Sequence, residues 1–188
     1  MNKERILINE LDTFKKINSN VLGFFLALFG TLLLAISAKV QVPFWPVPMT
    51  MQTFVIFLIG MTYSIRLSFI TVALYLFEGA VGLPVFASGG GIAYLTGPTA
   101  GYLYGMLLAS ITISYFANLG FSKTFLKATF SLLIGSIIIF TIGILYLGSI
   151  IGFEKAIVAG LMPFIPSEIF KIALAVTLIP TLQKITKN

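Results

Sequence analysis

The sequence predicts an all-α integral membrane protein: a bundle of six transmembrane helices with irregular loops on its outer face. Of 188 residues, 58% are hydrophobic and 10% are charged, whereas soluble domains carry about 25% charged residues. The mean hydropathy is +1.04. Several uncharged runs also reach the roughly 20 residues that a helix needs to cross the hydrocarbon core. We therefore expect one membrane domain over residues 1–188, in contact with lipid and passing the cell membrane several times.

The residue types argue against several classes of function. The chain has neither His nor Cys, which removes the commonest general base, the thiolate metal ligands and disulfides. An enzyme, a metal site and a bound cofactor are therefore not expected. The net charge of +6 would favour nucleic-acid binding only if the basic residues clustered on one face. Membrane proteins instead place Lys and Arg in cytoplasmic loops, so no nucleic-acid partner is expected.

The first two spans are placed by charge and proline. The uncharged run 17–38 follows a charged segment and predicts a retained first span rather than a cleaved signal peptide. The next run opens with Pro43, Pro46 and Pro48, which do not fit a helix interior. The second span is therefore expected to begin near Pro48.

The remaining spans follow from the breaks between them. The 82–98 stretch is too rich in Gly and Pro to be one helix, and 152–163 is expected to be a short amphipathic connector. Ser167 is the predicted N-cap of the last helix. The expected spans are 17–38, 48–63, one ending near 77, 99–118, 124–147 and 167–184.

The distribution of Lys and Arg predicts that both termini are cytoplasmic. With six spans, residues 1–19 form a cytoplasmic segment and 20–185 form the bundle. Most basic residues then lie inside, as is typical of membrane proteins. A seven-span arrangement, which splits 79–122 in two, loses this asymmetry. The cytoplasmic group is Lys3, Arg5, Lys15, Lys16, Arg66, Lys123, Lys127, Lys184 and Lys187.

Two apolar, irregular loops on the outer side predict an outward-facing pocket. They are 43–53 and 82–99, and irregular backbone at membrane depth is tolerated where it lines a cavity. Ordinary extracellular loops are the alternative. In the first loop, rigid prolines would pre-position the polar Gln52, unless the segment is only a turn that starts a helix. In the second, the glycines at 89–91 would allow a ligand close to the backbone, unless they form a plain linker.

Glu168 and Lys171 form the most distinctive pair in the sequence. They lie three residues apart on one face of the last helix, with opposite charge. Charged groups near the membrane are costly and usually face a bundle interior or a water-filled cavity. Together they would offer a ligand both acceptor and donor groups. The alternatives are a structural ion pair and a retinal Schiff base on Lys171, for which six spans are one too few.

Small residues recur every four positions along the first span. Such a ridge allows another helix to approach closely. Intramolecular packing is the default interpretation, and a docking surface for another membrane subunit is the alternative. The ridge consists of Gly23, Ala27, Thr31 and Ala35.

Over about residues 20–185 the chain resembles the BioY family, the biotin-specific substrate-binding S components of energy-coupling factor transporters. Four ordered segments carry the resemblance: PVPMTMQT, GLPVFASGGG, LTGPTAGYL and FIPSEIFKIALA. It implies a six-helix bundle with an outward biotin pocket closed by loops. The implied function is high-affinity biotin uptake without chemistry.

The resemblance also implies roles for individual residues. The P-x-D-x-x-K pattern of the family maps onto Pro166, Glu168 and Lys171, with Glu in place of the usual Asp, and the two charged groups would hold the ureido ring or the carboxylate of biotin. The ridge on the first helix is similar to the surface that meets the coupling subunit. Further candidates for the pocket or its lid are Gln52, Ser88, Gly90 and Tyr94.

The implied partners are a transmembrane coupling subunit and two ATPase subunits. The chain has no G-x-x-x-x-G-K-[ST] motif, so ATP would be used only by those partners. Two alternatives stay open at this point. One is an S component for another small water-soluble vitamin, and the other is a structural or assembly subunit that binds no ligand.

Overall fold

The computed structural model describes residues 19–185, and side chains over residues 20–179. The expectation of a mostly helical protein is confirmed, and the predicted N-terminal cytoplasmic segment lies almost entirely outside the described residues. Two short strands and two 3-10 turns, Ile92–Thr96 and Phe121–Lys123, interrupt the helices. The other elements are α1 Ser19–Lys39, β1 Gln41–Val42, β2 Met49–Thr50, α2 Gln52–Thr62, α3 Ile65–Ala80, α4 Ala100–Asn118, α5 Phe125–Ile151, α6 Phe153–Gly160 and α7 Phe164–Ile185.

The proline-rich segment folds as a small antiparallel hairpin. Gln41 pairs with Thr50, and Val42 pairs with Met49. Because Met49 and Thr50 belong to this hairpin, α2 begins at Gln52, later than the proline rule predicts. The hairpin therefore leads directly into the first turn of α2, which begins with Gln52.

The last helix begins earlier than predicted. α7 starts at Phe164, so Ser167 lies inside the helix and its assignment as the N-cap is wrong. Pro166 is tolerated because backbone N–H groups in a first turn have no intrahelical partner. The axes of α6 and α7 are bent by 47° across the turn between them. Glu168 and Lys171 lie near the N-terminal end of α7, shortly after this bend.

Three of the described helices, α1, α4 and α5, are long and apolar enough to cross a membrane. A fourth is added when α6 and α7 count as one bent span. The 11 residues of α2 and the 16 of α3 give only about 16 and 24 Å, short of the ~30 Å core. The described residues thus establish three to four candidate spans, and six spans stay a prediction.

Glycines bring α4 and α5 into close contact. A Cβ added at Gly105 would lie 2.8 Å from the Ile139 Cα, and one at Gly143 would lie 2.4 Å from the Tyr102 ring. Small residues at such crossings let helices approach closely in membranes. The close packing buries Tyr102 of α4 and Ile139 of α5 at the contact between the two helices.

The small-residue ridge of α1 is largely covered by the chain itself. Ala27 and Thr31 are only 1% and 4% exposed, and the Thr31 Oγ1 donates to Glu78 Oε1 of α3 at 3.1 Å. Gly23 and Ala35 are half-buried. Ala27 and Thr31 therefore pack within the chain, and in this conformation they are not accessible to a partner subunit.

Candidate functional site

A pocket opens between α2, α4, α5 and α7, next to the hairpin segment and the 82–99 loop. Its empty space is about 510 Å³ with the open mouth included. Its lining combines polar side chains with apolar and aromatic ones. The lining is Thr50, Gln52, Thr53, Glu168 and Lys171; Tyr102, Leu103, Met106, Ile139, Phe140 and Phe164; and Val47, Pro48, Phe86, Ala87, Tyr94 and Thr99 from the loops and the start of α4.

Glu168 and Lys171 form a buried ion pair within a wider polar cluster. Lys171 Nζ lies 3.3 Å from Glu168 Oε2 and donates to Thr53 Oγ1 at 3.0 Å. The Thr53 hydroxyl donates to the same Glu168 oxygen at 2.9 Å, and the Ser136 hydroxyl donates to Oε1 at 3.0 Å. The two charged residues are 5% and 2% exposed. The cluster joins α2, α5 and α7 and keeps both charges in a largely apolar surrounding.

The amide of Gln52 is held from both sides. The Thr50 hydroxyl donates to its Oε1 at 2.9 Å, and its Nε2 donates to the Tyr75 hydroxyl at 2.8 Å. The Tyr75 hydroxyl in turn donates to the carbonyl of Val85 at 2.9 Å. The prediction that the proline-rich segment pre-positions Gln52 at a pocket is consistent with this arrangement.

Three aromatic rings of the pocket lining pack against one another. Tyr102 stands edge-on to Phe140 at 6.1 Å and nearly parallel to Phe164 at 6.4 Å. The Tyr102 hydroxyl donates to the carbonyl of Gly160 at 2.9 Å, which ties these rings to α6. The sequence did not single out these rings, because aromatic residues are common in membrane helices and follow no separate pattern here.

The 82–99 loop contributes Phe86 to the lining of the pocket. The ring is fully buried, stacks on Tyr94 at 4.9 Å and rests against Gly79 of α3, where an added Cβ would lie 2.0 Å from it. Lys39, at the end of α1, donates through Nζ to the carbonyl of Phe86 at 2.6 Å. The loop is thus seated on α3 and tied to α1, and we call it the lid.

Two residues predicted for the site lie outside the pocket. Ser88 and Gly90 belong to the lid, are exposed and do not line the pocket. Gly90 does permit a close backbone approach, but to the carbonyl of Leu83, which would lie 2.1 Å from an added Cβ. The structure brings together the other four: Gln52, Tyr94, Glu168 and Lys171.

In the described part of the chain, no three acidic residues come together in a way that could hold a metal ion. The polar groups of the pocket are instead suited to hydrogen bonding with an organic ligand. Both a carboxylate and an ammonium are present, so the pocket can receive a ligand group that donates and accepts at once.

Comparison with known proteins places these features in a family. The BioY family profile matches residues 12–188. A probable biotin transporter BioY of Pyrococcus horikoshii is 37% identical over 152 residues, 80% of this chain and 90% of that one. The biotin transporter BioY of Thermotoga maritima is 34% identical over 157 residues, covering 82% and 92%. The crystal structure of the S-component for biotin from an ECF-type ABC transporter superposes with a TM-score of 0.79 at 26% identity, covering 89% of this chain and 93% of that one.

Proposed function

The chain belongs to the BioY family, and from this membership we propose that it binds biotin and takes it across the membrane as the substrate-specific S component of an energy-coupling factor transporter. The resemblance drawn from the four sequence segments is confirmed. The expected membrane location is confirmed too, and so is the exclusion of an enzyme, because the family is one of transporter components.

The observation that carries the proposal is the number of hydrogen-bond donors and acceptors that stay unused in the polar cluster and on Gln52. A carboxylate offers about four lone-pair sites, an ammonium three N–H groups, and a primary amide two of each kind. Contacts within the protein use three sites of Glu168, two N–H groups of Lys171, and one donor and one acceptor of Gln52. Two acceptors and two donors stay free among the described contacts.

A ureido ring matches this capacity. It presents two N–H groups and one carbonyl oxygen with two lone pairs. Glu168 and Gln52 would accept the two N–H bonds, while Lys171 and Gln52 would donate to the carbonyl. The apolar sulfur ring and the aliphatic chain of biotin would then lie along Tyr102 and Phe140, with the carboxylate toward the mouth.

Transport would require partners and a defined orientation in the membrane. We propose a single six-span domain with both termini cytoplasmic, the pocket facing outward, and α2 and α3 crossing as a pair of short helices. A transmembrane coupling subunit and two ATPase subunits would drive release inside, and ATP would be used only by them. Of the ridge on α1, Gly23 and Ala35 are the members left partly open for such a contact.

The orientation can be tested by labelling single cysteines, since the chain has none of its own. A cysteine in place of the exposed Ala93 in the lid is expected to react with a membrane-impermeant maleimide in intact cells. One in place of the exposed Lys123, between α4 and α5, is expected to react only after permeabilisation. Labelling of both from outside would contradict the six-span orientation.

Isothermal titration of the detergent-purified protein with biotin tests the function. We expect saturable heat with one site and a Kd below about 1 μM, as for a ligand that buries most of its surface. Diaminobiotin, which lacks the ureido carbonyl, is expected not to compete. Competition by thiamine or riboflavin would support an S component for another vitamin, and the absence of heat with biotin would contradict the proposal.

A further inference from the structure

The hydroxyl of Tyr75 connects Gln52 of the pocket lining to Val85 of the lid. Tyr75 lies on α3 behind the pocket wall, is 1% exposed and does not line the cavity. We propose that Tyr75 is a positioning residue, which couples recognition of the ligand head group by Gln52 to closure of the lid. This inference rests on the proposed biotin function.

The direction of each hydrogen bond follows from the contacts. The carbonyl of Val85 can only accept, so the single O–H of Tyr75 is spent on it at 2.9 Å. Tyr75 must therefore accept from Gln52, which turns the Nε2 of that amide toward Tyr75 and its Oε1 toward Thr50. The Tyr75 hydroxyl thus fixes the orientation of the Gln52 amide, and with it the positions of the donor and the acceptor that Gln52 presents to the ligand.

The same side chain also holds the lid. Val85 directly precedes Phe86 and Ala87, both of which line the pocket. The Tyr75 ring packs edge-on against Phe86 with centroids 5.4 Å apart. Hydrogen bonds in such a chain strengthen one another in a low-dielectric interior. A ligand bound to Gln52 therefore favours the closed lid, and by reciprocity the closed lid favours the ligand.

Tyr63 supplies a matched control. It is also a buried tyrosine, 8% exposed, whose hydroxyl donates to a backbone carbonyl, that of Leu26, at 2.9 Å. It does not line the pocket and makes no described hydrogen bond to the lid. Removing the Tyr63 hydroxyl therefore eliminates a hydrogen bond similar to that between Tyr75 and Val85, but away from the pocket and the lid.

The test compares Tyr75→Phe with Tyr63→Phe in biotin titrations. Tyr75→Phe keeps the ring and loses only the hydroxyl, and it is expected to weaken biotin binding about 10- to 100-fold, because the amide of Gln52 loses its partner and its fixed orientation. Tyr63→Phe is expected to bind within about twofold of the wild type, since exchanges away from the ligand leave its contacts intact. In a Gln52→Ala background, Tyr75→Phe is expected to add less than about threefold, because the link is already broken.

A nitroxide on Ala93→Cys reports the lid separately from affinity. Ala93 is exposed and has no assigned role. Saturating biotin is expected to immobilise the label in the wild-type and Tyr63→Phe backgrounds and to leave it mobile with Tyr75→Phe. Three results would each overturn the inference. They are wild-type biotin affinity in Tyr75→Phe, equal immobilisation of the nitroxide in all three proteins, and fully additive losses of affinity from Tyr75→Phe and Gln52→Ala. Failure of the wild-type chain to bind biotin would instead refute the proposed function.

Discussion

Replacing Lys171 with methionine is expected to abolish high-affinity biotin binding and to destabilise the protein. Methionine keeps most of the side-chain volume but leaves the carboxylate of Glu168 buried with only the Thr53 and Ser136 hydroxyls. Breaking a buried ion pair in this way costs about 3–5 kcal/mol of unfolding free energy. Loss of a charged ligand contact weakens binding by about 30-fold to several thousand-fold. Titration calorimetry and thermal unfolding in detergent measure the two effects.

The double variant Glu168→Gln with Lys171→Met separates binding from folding. Replacing a buried pair by neutral groups of similar size is often harmless to stability, so the melting temperature is expected to return near that of the wild type. Biotin binding is expected to stay lost, because the charged acceptor of Glu168 and the free N–H donor of Lys171 are both gone. Wild-type affinity in the double variant would show that Glu168 and Lys171 are a structural ion pair, the alternative that the sequence left open.

The part of the site that the sequence could predict depends on local rules. The spacing of Glu168 and Lys171 follows from the helical period, and the proline rule isolates Gln52 at the start of a helix. Ser136 and Tyr75 follow no such rule. They meet their partners 32 and 23 residues away in the chain, and a single hydroxyl in an apolar helix has no pattern that marks it.

The fold shows the same division between local and distant information. The helices α4 and α5 begin within a residue of the predicted starts at 99 and 124. The start of α2 does not, because the pairing of Val42 with Met49 uses residues that proline alone would leave to the helix. Gly90 likewise lies close to the carbonyl of Leu83, and only the folded loop reveals this contact.

Gly79→Ala is expected to weaken biotin binding although alanine favours a helix. In α3 the exchange would by itself stabilise the protein by about 0.5–1 kcal/mol. The new Cβ, however, would lie 2.0 Å from the Phe86 Cζ, and that ring is fully buried with no room to turn aside. Overpacking of this kind costs about 1–3 kcal/mol, which would appear as a 5- to 150-fold higher Kd if it lifts the lid. Titration with biotin measures it.

Two further variants test whether the contact between Phe86 and residue 79 causes the loss of biotin affinity. Gly23 of α1 has no atom within 4 Å of an added Cβ, so Gly23→Ala is expected to leave biotin binding by the isolated protein unchanged. Phe86→Leu shortens the side chain that meets Gly79, and in the Gly79→Ala background it is expected to recover part of the lost affinity. Unchanged affinity in Gly79→Ala would mean that the lid need not be seated on α3 for binding. Without rescue by Phe86→Leu, the loss would have to come from α3 itself, because the clash between the two side chains would already have been relieved.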